Sequence, residues 1–446
     1  MSDVLLGADL GTSGLKLVAL DPGGSVVAEA ERRYALDRSA PGRAEIDVAT
    51  WRSALDDALA ALAPDLRGAR VAALGFSGQM HGAVLVDEDG RALRPALLWP
   101  DQRATGELAR WRALPDPDRA ALANPLVPGM TGPMLAWLAR HEPDVVVRAA
   151  TVLLPKDALR ATLLRGSTAT DRSDASATLL WDVVADDWSA AAATAAGVPA
   201  ELLPAVRPSH VVAGTAQLPL GEVPVVVGGA DTPLALVAAG GPDTQINLGT
   251  GVQLLRPLVD PQPVLEPVVH TYADTAGGWY AMAALQNGGS AWEWVCGVLG
   301  LSWAEFLRAA ESAPAGAGGV VFRPFLTGER GGIAGPDDRG SWTGLHPGAT
   351  RADLARSAVE GVASAVAGAA ALLGGLSGSE PVVLSGGGAR AAVVQQALAD
   401  ALGSPVRHLR MRSASAIGAA VLAGRGVGLA VEPQRETGPV VVPARD

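Results

Sequence analysis

The chain has 446 residues, 49% of them hydrophobic, and a formal net charge of −11. That length exceeds a single core and predicts two domains of about 200 residues each, while the acidic balance argues against a nucleic-acid surface. No apolar run reaches the ~18 residues of a membrane span, Asp3 and Asp9 stand where a leader would be basic and then apolar, and one cysteine, Cys296, excludes an internal disulfide framework and a Cys-based zinc site. A reducing cytoplasm is the expected compartment.

The first elements surround Gly7-Ala8-Asp9-Leu10-Gly11-Thr12-Ser13-Gly14-Leu15-Lys16. Residues 4–6 predict a buried strand and 15–20 a second. Asp21-Pro22-Gly23-Gly24 then turns into a third over 25–30. The tip joining the first two is small and hydroxyl-bearing, so backbone N–H and side-chain O–H groups can meet an anion there. Asp9 at its mouth suits Mg²⁺ or its waters, not phosphate. An ordinary hairpin turn would satisfy the same ten residues. Lys16 and Lys156 are the only lysines, and both fall inside such stretches.

A helix is expected over 49–63, with Trp51, Leu55, Leu59 and Leu62 on one face. A strand over 71–76 runs into Ser77-Gly78-Gln79-Met80-His81-Gly82 and resumes over 83–86. Polar residues hung between buried strands line clefts. Gln79, Met80 and His81 offer two hydrogen-bonding groups and an adaptable apolar wall, which suits a small polyol; a satisfied loop histidine is the plain alternative. Trp99-Pro100-Asp101-Gln102-Arg103 opens a helix to about residue 113, with Asp101 at the N-cap position. Leu154-Pro155-Lys156-Asp157 starts another helix, and a polar loop covers 170–176.

A strand over 223–227 ends in Gly228-Gly229-Ala230-Asp231, and Thr232-Pro233 opens an Ala/Leu-rich helix closed by Gly240-Gly241. An Asp at such a junction is commonly an N-cap; it is also where α/β folds set catalytic carboxylates. The opening plan then returns over 244–255: strand, Leu248-Gly249-Thr250 turn, strand. A repeat at half the chain length predicts two duplicated domains facing one another. Gln286-Asn287-Gly288-Gly289 leads into a helix whose Trp292 and Trp294 are expected in the core. A long small-residue helix covers 351–373. Ser385-Gly386-Gly387-Gly388-Ala389-Arg390 lies between a strand and a helix, where bare backbone can take a flat ring or a ribose, or can serve close packing. A small-residue helix at 418–424 closes the fold, and a loose Pro-rich tail is expected after Gly428.

In this order the stretches resemble the FGGY carbohydrate kinases of the actin/hexokinase/Hsp70 superfamily, and among them the xylulokinases. The resemblance is carried by 9–16, 78–82, Trp99 with Asp101 and Arg103, 154–157, Gly228-Gly229 with Asp231, 248–250, Thr327-Gly328-Glu329-Arg330, 386–390 and Gly418-Ala419-Ala420. It implies an α/β fold of two ribonuclease-H-like domains around a cleft: 1–241, 242–429, and a tail over 430–446. It further implies ATP-dependent, Mg²⁺-assisted phosphorylation of a ketose hydroxyl, with a sugar and ATP as partners and a homodimer left open. Thr12, Ser13, Gly14, Lys16, Gly249, Thr250 and Gly289 are then expected at the ATP phosphates, and Gly387, Gly388 and Ala389 at the adenosine. Asp9 and Asp231 would serve the metal, and Asp231 would be the base. Gln79, Met80, His81, Trp99, Asp101, Arg103 and Asp231 would contact the sugar.

Some positions depart from the family pattern. Thr232 and Pro233 follow Asp231 where Asn and a small residue are usual, Gly331-Gly332 replaces Thr-Pro, Pro100 and Gln102 replace Asn and Gly, and Arg43 stands for an aromatic. These lie around the sugar more than the phosphates, so another ketose or a sugar alcohol is the alternative substrate. A non-catalytic sugar or nucleotide sensor is an alternative of another class, disfavoured by the presence of Asp9 and Asp231. A dinucleotide-binding G-x-G-x-x-G, a Walker A stretch, His-Glu-x-x-His and Gly-x-Ser-x-Gly are all missing, so dehydrogenase, P-loop, zinc and serine-hydrolase readings lack support.

Overall fold

Two seven-stranded sheets carry the chain. The structure, a computed structural model, describes residues 3–241, 243–329, 332–376 and 380–444; Arg330 and Gly331, named above, lie outside them. In the first sheet, β1 (Asp3–Leu10), β2 (Gly14–Leu20) and β3 (Val26–Arg33) form an antiparallel meander. β4 (Arg70–Gly78) runs parallel to β1 on its other side. β6 (Gly221–Val226) continues in parallel, with β5 (Val212–Leu218) at the edge. The short β7 (Gly229–Ala230) pairs with the end of β4.

The burial of these strands follows what covers them. β1 and β4 are apolar almost throughout because both faces are packed. β3, nearer the edge, alternates, with Ala28 and Ala30 inward and Glu29 and Glu31 outward. α1 (Val48–Leu62), capped by Asp47 accepting from the Ala49 N–H at 2.9 Å, lays Trp51, Leu55, Leu59 and Leu62 on one face of the sheet.

The second sheet repeats the plan. β8 (Gln245–Leu248) pairs antiparallel with β9 (Val252–Leu258), which pairs with β11 (Trp279–Leu285), with β10 (His270–Ala273) at the edge. On the other side of β8, β12 (Val382–Ser385) and β13 (Val406–Arg410) run parallel to it. Its core comes from α3 (Arg351–Leu372) and α4 (Ala392–Leu402), both rich in small residues. Trp292 is buried in that core, but Trp294 is 44% exposed, stacked on Trp342. Residue 294 lies two positions along its helix from 292, a rotation of about 200° that takes it away from the core.

Near its C-terminus the chain crosses from one sheet to the other. α5 (Ala414–Gly426), the helix expected to close the fold, packs on β1, β4 and α2 (Asp231–Ala239) of the first domain. Added Cβ atoms at Gly7 and Gly75 would stand 1.9 Å and 2.1 Å from carbonyl oxygens of α5, and one at Gly418 would stand 1.9 Å from Leu234 O. Backbone meets backbone there, which no side chain permits. The tail is not loose either. Gln434 N–H donates to Gly24 O at 2.9 Å, and β14 (Glu436–Val441) returns to pair with β13.

Strands β10 and β11 also dock on the first domain: Tyr272, Tyr280 and Met282 share a core with Met80, Met134 and Leu180. Asn124 clasps Thr271, donating to its oxygen at 2.9 Å and accepting from its nitrogen at 3.1 Å. Among the described residues, no helix is long and apolar enough to cross a membrane. Gly418→Ala is expected to destabilise the fold by about 2–4 kcal/mol through the clash with Leu234 O. Gly106→Ala, with nothing within 4 Å of its added Cβ, should stay within about 0.5 kcal/mol. Denaturant midpoints of the two variants check this.

Candidate active site

Both sheets end in the same device, a tight turn made of glycine and hydroxyl residues. Between β1 and β2, Gly11 N–H closes onto Gly14 O at 3.0 Å. Tyr34, just past the end of β3, pins that turn, its hydroxyl donating to Gly11 O at 2.6 Å and its N–H to Ser13 O at 3.1 Å. Between β8 and β9, Gly249 N–H closes onto Gly251 O at 3.0 Å. Gly289 N–H donates to Gly249 O at 2.9 Å, and the N–H groups of Gly288 and Ser290 donate to Thr250 O. The segment from Gln286 is held by Glu329, whose buried carboxylate accepts from Gln286 N, Asn287 N and Asn287 Nδ2 at 2.8, 3.2 and 2.9 Å. Nothing local in the sequence paired Glu329 with a loop some forty residues earlier.

The turns open on a cleft of about 430 Å³ between the sheets, lined by Thr12, Gln79, Met80, His81, Trp99, Asp231, Gly249 and Thr250. Asp231 is not an N-cap: Ala230 holds that position, and Asp231 is the first residue of α2. Its Oδ1 accepts from Thr232 N at 2.6 Å and Thr232 Oγ1 at 3.2 Å. Burial, and then the charge of Asp9, push its pKa up to about 7 against those hydrogen bonds. Burial likewise raises Asp9, against the Ser77 hydroxyl at 2.8 Å and the nearby Lys16, which faces Asp9 across β1 and β2.

The residues expected at the sugar are tied to the first turn. Trp99 Nε1 donates to Thr12 Oγ1 at 2.9 Å, Thr12 Oγ1 donates to Gln79 Oε1 at 3.1 Å, and Gln79 Nε2 donates to Gly11 O at 3.2 Å. His81 sits at φ 72°, a left-handed backbone unusual for a residue with a Cβ. The Thr131 hydroxyl on His81 O and Gly82 O, and the 2.5 Å contact of His81 Nδ1 with Ala177 O, hold it there.

Asp101 and Arg103 are not brought into the cleft wall. Asp101 is buried behind it, accepting from Ala44 N at 2.9 Å and from Arg103 Nη2 at 2.7 Å. Arg103 also reaches Glu45 and lies over the Trp137 ring at 4.2 Å. Gln102, between them, faces the cleft instead. Asp101 accepts from Arg103 N at 3.0 Å, one residue off the N-cap position that Gln102 holds, and the helical stretch that follows is a 3₁₀ turn, Arg103–Glu107, running into a short α-helix, Leu108–Arg112.

The glycine triplet is set by packing, and none of its residues is among those that line the cleft. Gly386 and Gly388 lie against Leu248, where a Cβ would come within 2.4 Å and 2.1 Å of its atoms, so they serve close packing. Gly387 is exposed, with nothing within 4 Å of an added Cβ. Ala389 is fully buried, with its carbonyl taken by Gln395 Nε2 at 3.0 Å, and supports the turn instead of facing the cleft. Asn247, Gln253, His270 and Met282 of the second sheet line the cleft and were not singled out from the sequence. The sole trace of Gln253 there was a polar residue breaking an apolar strand beside the turn.

Among the described residues no group of three or more His, Cys, Asp or Glu side chains could hold a metal ion. Asp231, whose ionisation the charge of Asp9 makes costlier, and Asp9 itself offer carboxylate oxygens of the kind that a hard divalent cation would take, its remaining ligands coming from outside the protein.

Residues 4–238 match the N-terminal domain, and 245–427 the C-terminal domain, of the FGGY family of carbohydrate kinases. The xylulose kinase of Escherichia coli K12 is 35% identical over 96% of this chain and 90% of its own. A glycerol kinase of Methylibium petroleiphilum is 33% identical over 95% of this chain and 91% of its own. A crystal structure described as a xyloylose kinase from Brucella ovis superposes with a TM-score of 0.89 at 32% identity, covering 99% of this chain and 95% of that one.

Glu329→Ala should destabilise the protein by about 2–3 kcal/mol, because buried N–H groups lose their acceptor. It should also speed amide exchange over 286–290 more than over 11–14, as hydrogen–deuterium exchange would read.

Proposed function

The chain belongs to the FGGY family of carbohydrate kinases, and from that premise we propose that it transfers the γ-phosphoryl group of ATP to a terminal hydroxyl of a pentulose, D-xylulose before others. The observation that carries the reading is Asp231, lodged between the two glycine turns at the cleft floor with its pKa raised to about 7. A base poised near the working pH takes a hydroxyl proton most effectively. The hydroxyl oxygen bonds to the γ-phosphorus, the bond to the β-phosphate oxygen breaks, ADP leaves, and the proton passes to Asp231 Oδ.

Phosphoryl transfer rests on positioning and on neutralising charge. The backbone N–H groups of 12–14 and 250–251 would grip the phosphates, which suits a protein of net charge −11 with no Arg or Lys among the described residues that line the cleft. Asp9, and Asp231 before it takes the proton, would hold Mg²⁺. That ion would supply screening of the phosphate charge. Gly387, exposed beyond β12, is left as the open face for the nucleoside. Met80, His81 and Trp99 would bound the sugar, with Gln102 on the wall where Asp101 and Arg103 were expected. Closure of the sheets on one another would shut out water, the competing acceptor.

A second reading within the family, a kinase for another ketose or a sugar alcohol, is favoured by Gln102 and Thr232 on the cleft wall and by the similarity to a glycerol kinase. ADP release with Mg-ATP against D-xylulose, L-xylulose, D-ribulose, L-ribulose and glycerol separates the two. Preference for D-xylulose supports the first; preference for another member replaces it. Tight sugar binding without turnover would point to a sensor.

Asp231→Asn should lower kcat about 10²–10⁴-fold while leaving nucleotide affinity, read by calorimetry, largely intact. For the wild type, kcat/KM should rise about tenfold per pH unit below the pKa near 7 and level off above it, since only deprotonated Asp231 accepts the proton. A profile flat from pH 5.5 to 8.5 would remove Asp231 from the base role.

A further inference from the structure

Beneath Asp231 lies a buried cluster of charge that no step above uses. The helix Pro155–Leu163 supplies Lys156, Asp157 and Arg160, and the strand Thr170–Asp171 with the short helix after it supplies Asp171, Ser173 and Asp174. All six side chains are fully buried. Lys156 Nζ stands 2.8 Å from Asp157 Oδ1, 3.1 Å from Asp171 Oδ1 and 2.9 Å from Asp174 Oδ2, and Arg160 pairs with Asp157 at 2.7 Å. Burial drives Asp174 up despite the pull of Lys156, with Asp171 and Asp157 adding to the rise. Buried ions paired at these distances are hard to rearrange, because displacing one strands another without solvent.

The cluster grips the chain that leads into Asp231 at two points. The Arg160 guanidinium donates to Val227 O. Asp171 Oδ2 accepts from Ser173 Oγ at 2.5 Å and Ser209 Oγ at 2.7 Å, and Ser173 Oγ in turn accepts from Ala230 N at 2.9 Å. The Ser173 hydroxyl is thus oriented at both ends: its proton points to Asp171 and its lone pair to the amide one residue before Asp231. There is little slack around it. A Cβ on Gly229 would lie 3.4 Å from Ser173 Oγ and 2.5 Å from Thr275 Cγ2 of the opposite domain.

We propose that Ser173 is a positioning residue for Asp231, its hydroxyl carrying the rigidity of the Lys156–Asp171 cluster to the Ala230 amide and so setting where the Asp231 carboxylate stands against the attacking hydroxyl. The inference rests on the reading of Asp231 as the base. Ser209 provides the matched comparison, since its hydroxyl reaches the same Asp171 oxygen but has no contact with the Ala230 amide.

The test is steady-state kinetics of the full-length enzyme with Mg-ATP and the sugar that the panel selects, alongside thermal unfolding, for Ser173→Ala, Ser173→Cys and Ser209→Ala. Ser173→Ala should lower kcat about 10- to 100-fold, the scale of a misplaced catalytic group, with both KM values within about twofold. Ser173→Cys, with a weaker donor and acceptor, should fall between. Ser209→Ala should lower Tm comparably but keep kcat within about twofold. Equal kcat losses in Ser173→Ala and Ser209→Ala, an unchanged kcat in Ser173→Ala, or a loss confined to KM would each overturn the proposal. If Ser173→Ala does not fold, the Cys variant decides: a wild-type kcat there overturns it. Asp231→Asn separates the two levels. An inactive Asp231→Asn beside a fully active Ser173→Ala sinks only the positioning role, whereas an active Asp231→Asn removes the base reading and this inference with it.

Discussion

Backbone-to-backbone contact between α5 and the first domain is the constraint on which the rest of the molecule depends. Gly7 on β1, Gly75 on β4 and Gly418 on α5 each occupy a place where a single added carbon would overlap a main-chain atom. With that approach permitted, the last helix presses on the strands that carry Asp9 and lead to Gln79. It also presses on α2, which begins with Asp231. α5 lies in sequence between β13 and β14, both strands of the second sheet. The chain therefore crosses between domains at 239–245, at 410–414 and again before β14. At one crossing Ser413 takes a left-handed backbone, φ 51°, with its hydroxyl on Glu29 at 2.5 Å. The relative placement of the two turns, and so of the cleft, follows from this interlacing.

Charge is handled in two opposite ways within a short distance of the cleft. Below Asp231, three carboxyls and two cations are sealed from water and compensate each other. At the cleft floor, among the described residues, Asp9 and Asp231 have no fully buried cation beside them; both are raised by burial, with Lys16 opposing it at Asp9 and hydrogen bonds at each. The first arrangement resists change and suits a foundation. The second leaves unsatisfied negative potential facing the cleft, which favours a divalent cation or a proton as its partner.

The glycine turns were legible because their chemistry is local: small residues, a hydroxyl and a strand on either side suffice, and the same pattern recurs half a chain later. Asp231 was legible as a carboxylate at a strand-to-helix junction, although its exclusion from the N-cap position required the backbone angles of Ala230. Asp101 and Arg103 show the opposite case. They sit in a recognisable stretch, yet a pairing with Glu45 and Ala44, more than fifty residues earlier, turns them behind the wall and leaves Gln102 in front. Gly386 and Gly388 likewise answer to Leu248, a residue on another strand, and Ala389 to Gln395.

The sequence by itself determined the α/β class, the duplicated halves, the two turns and a family resemblance spanning nearly the whole chain. Those features rest on short-range periodicity, on glycine at turns and on residues close in the chain, all of which are written contiguously. Tertiary structure alone decided that α5 belongs with the first sheet, that residues 436–441 complete the second, that Trp294 faces outward and that Glu329 braces the second turn. It alone set Ser173 under the Ala230 amide. Each of these depends on which surfaces are close enough to exclude water or a Cβ, and that is settled by packing between segments tens to hundreds of residues apart.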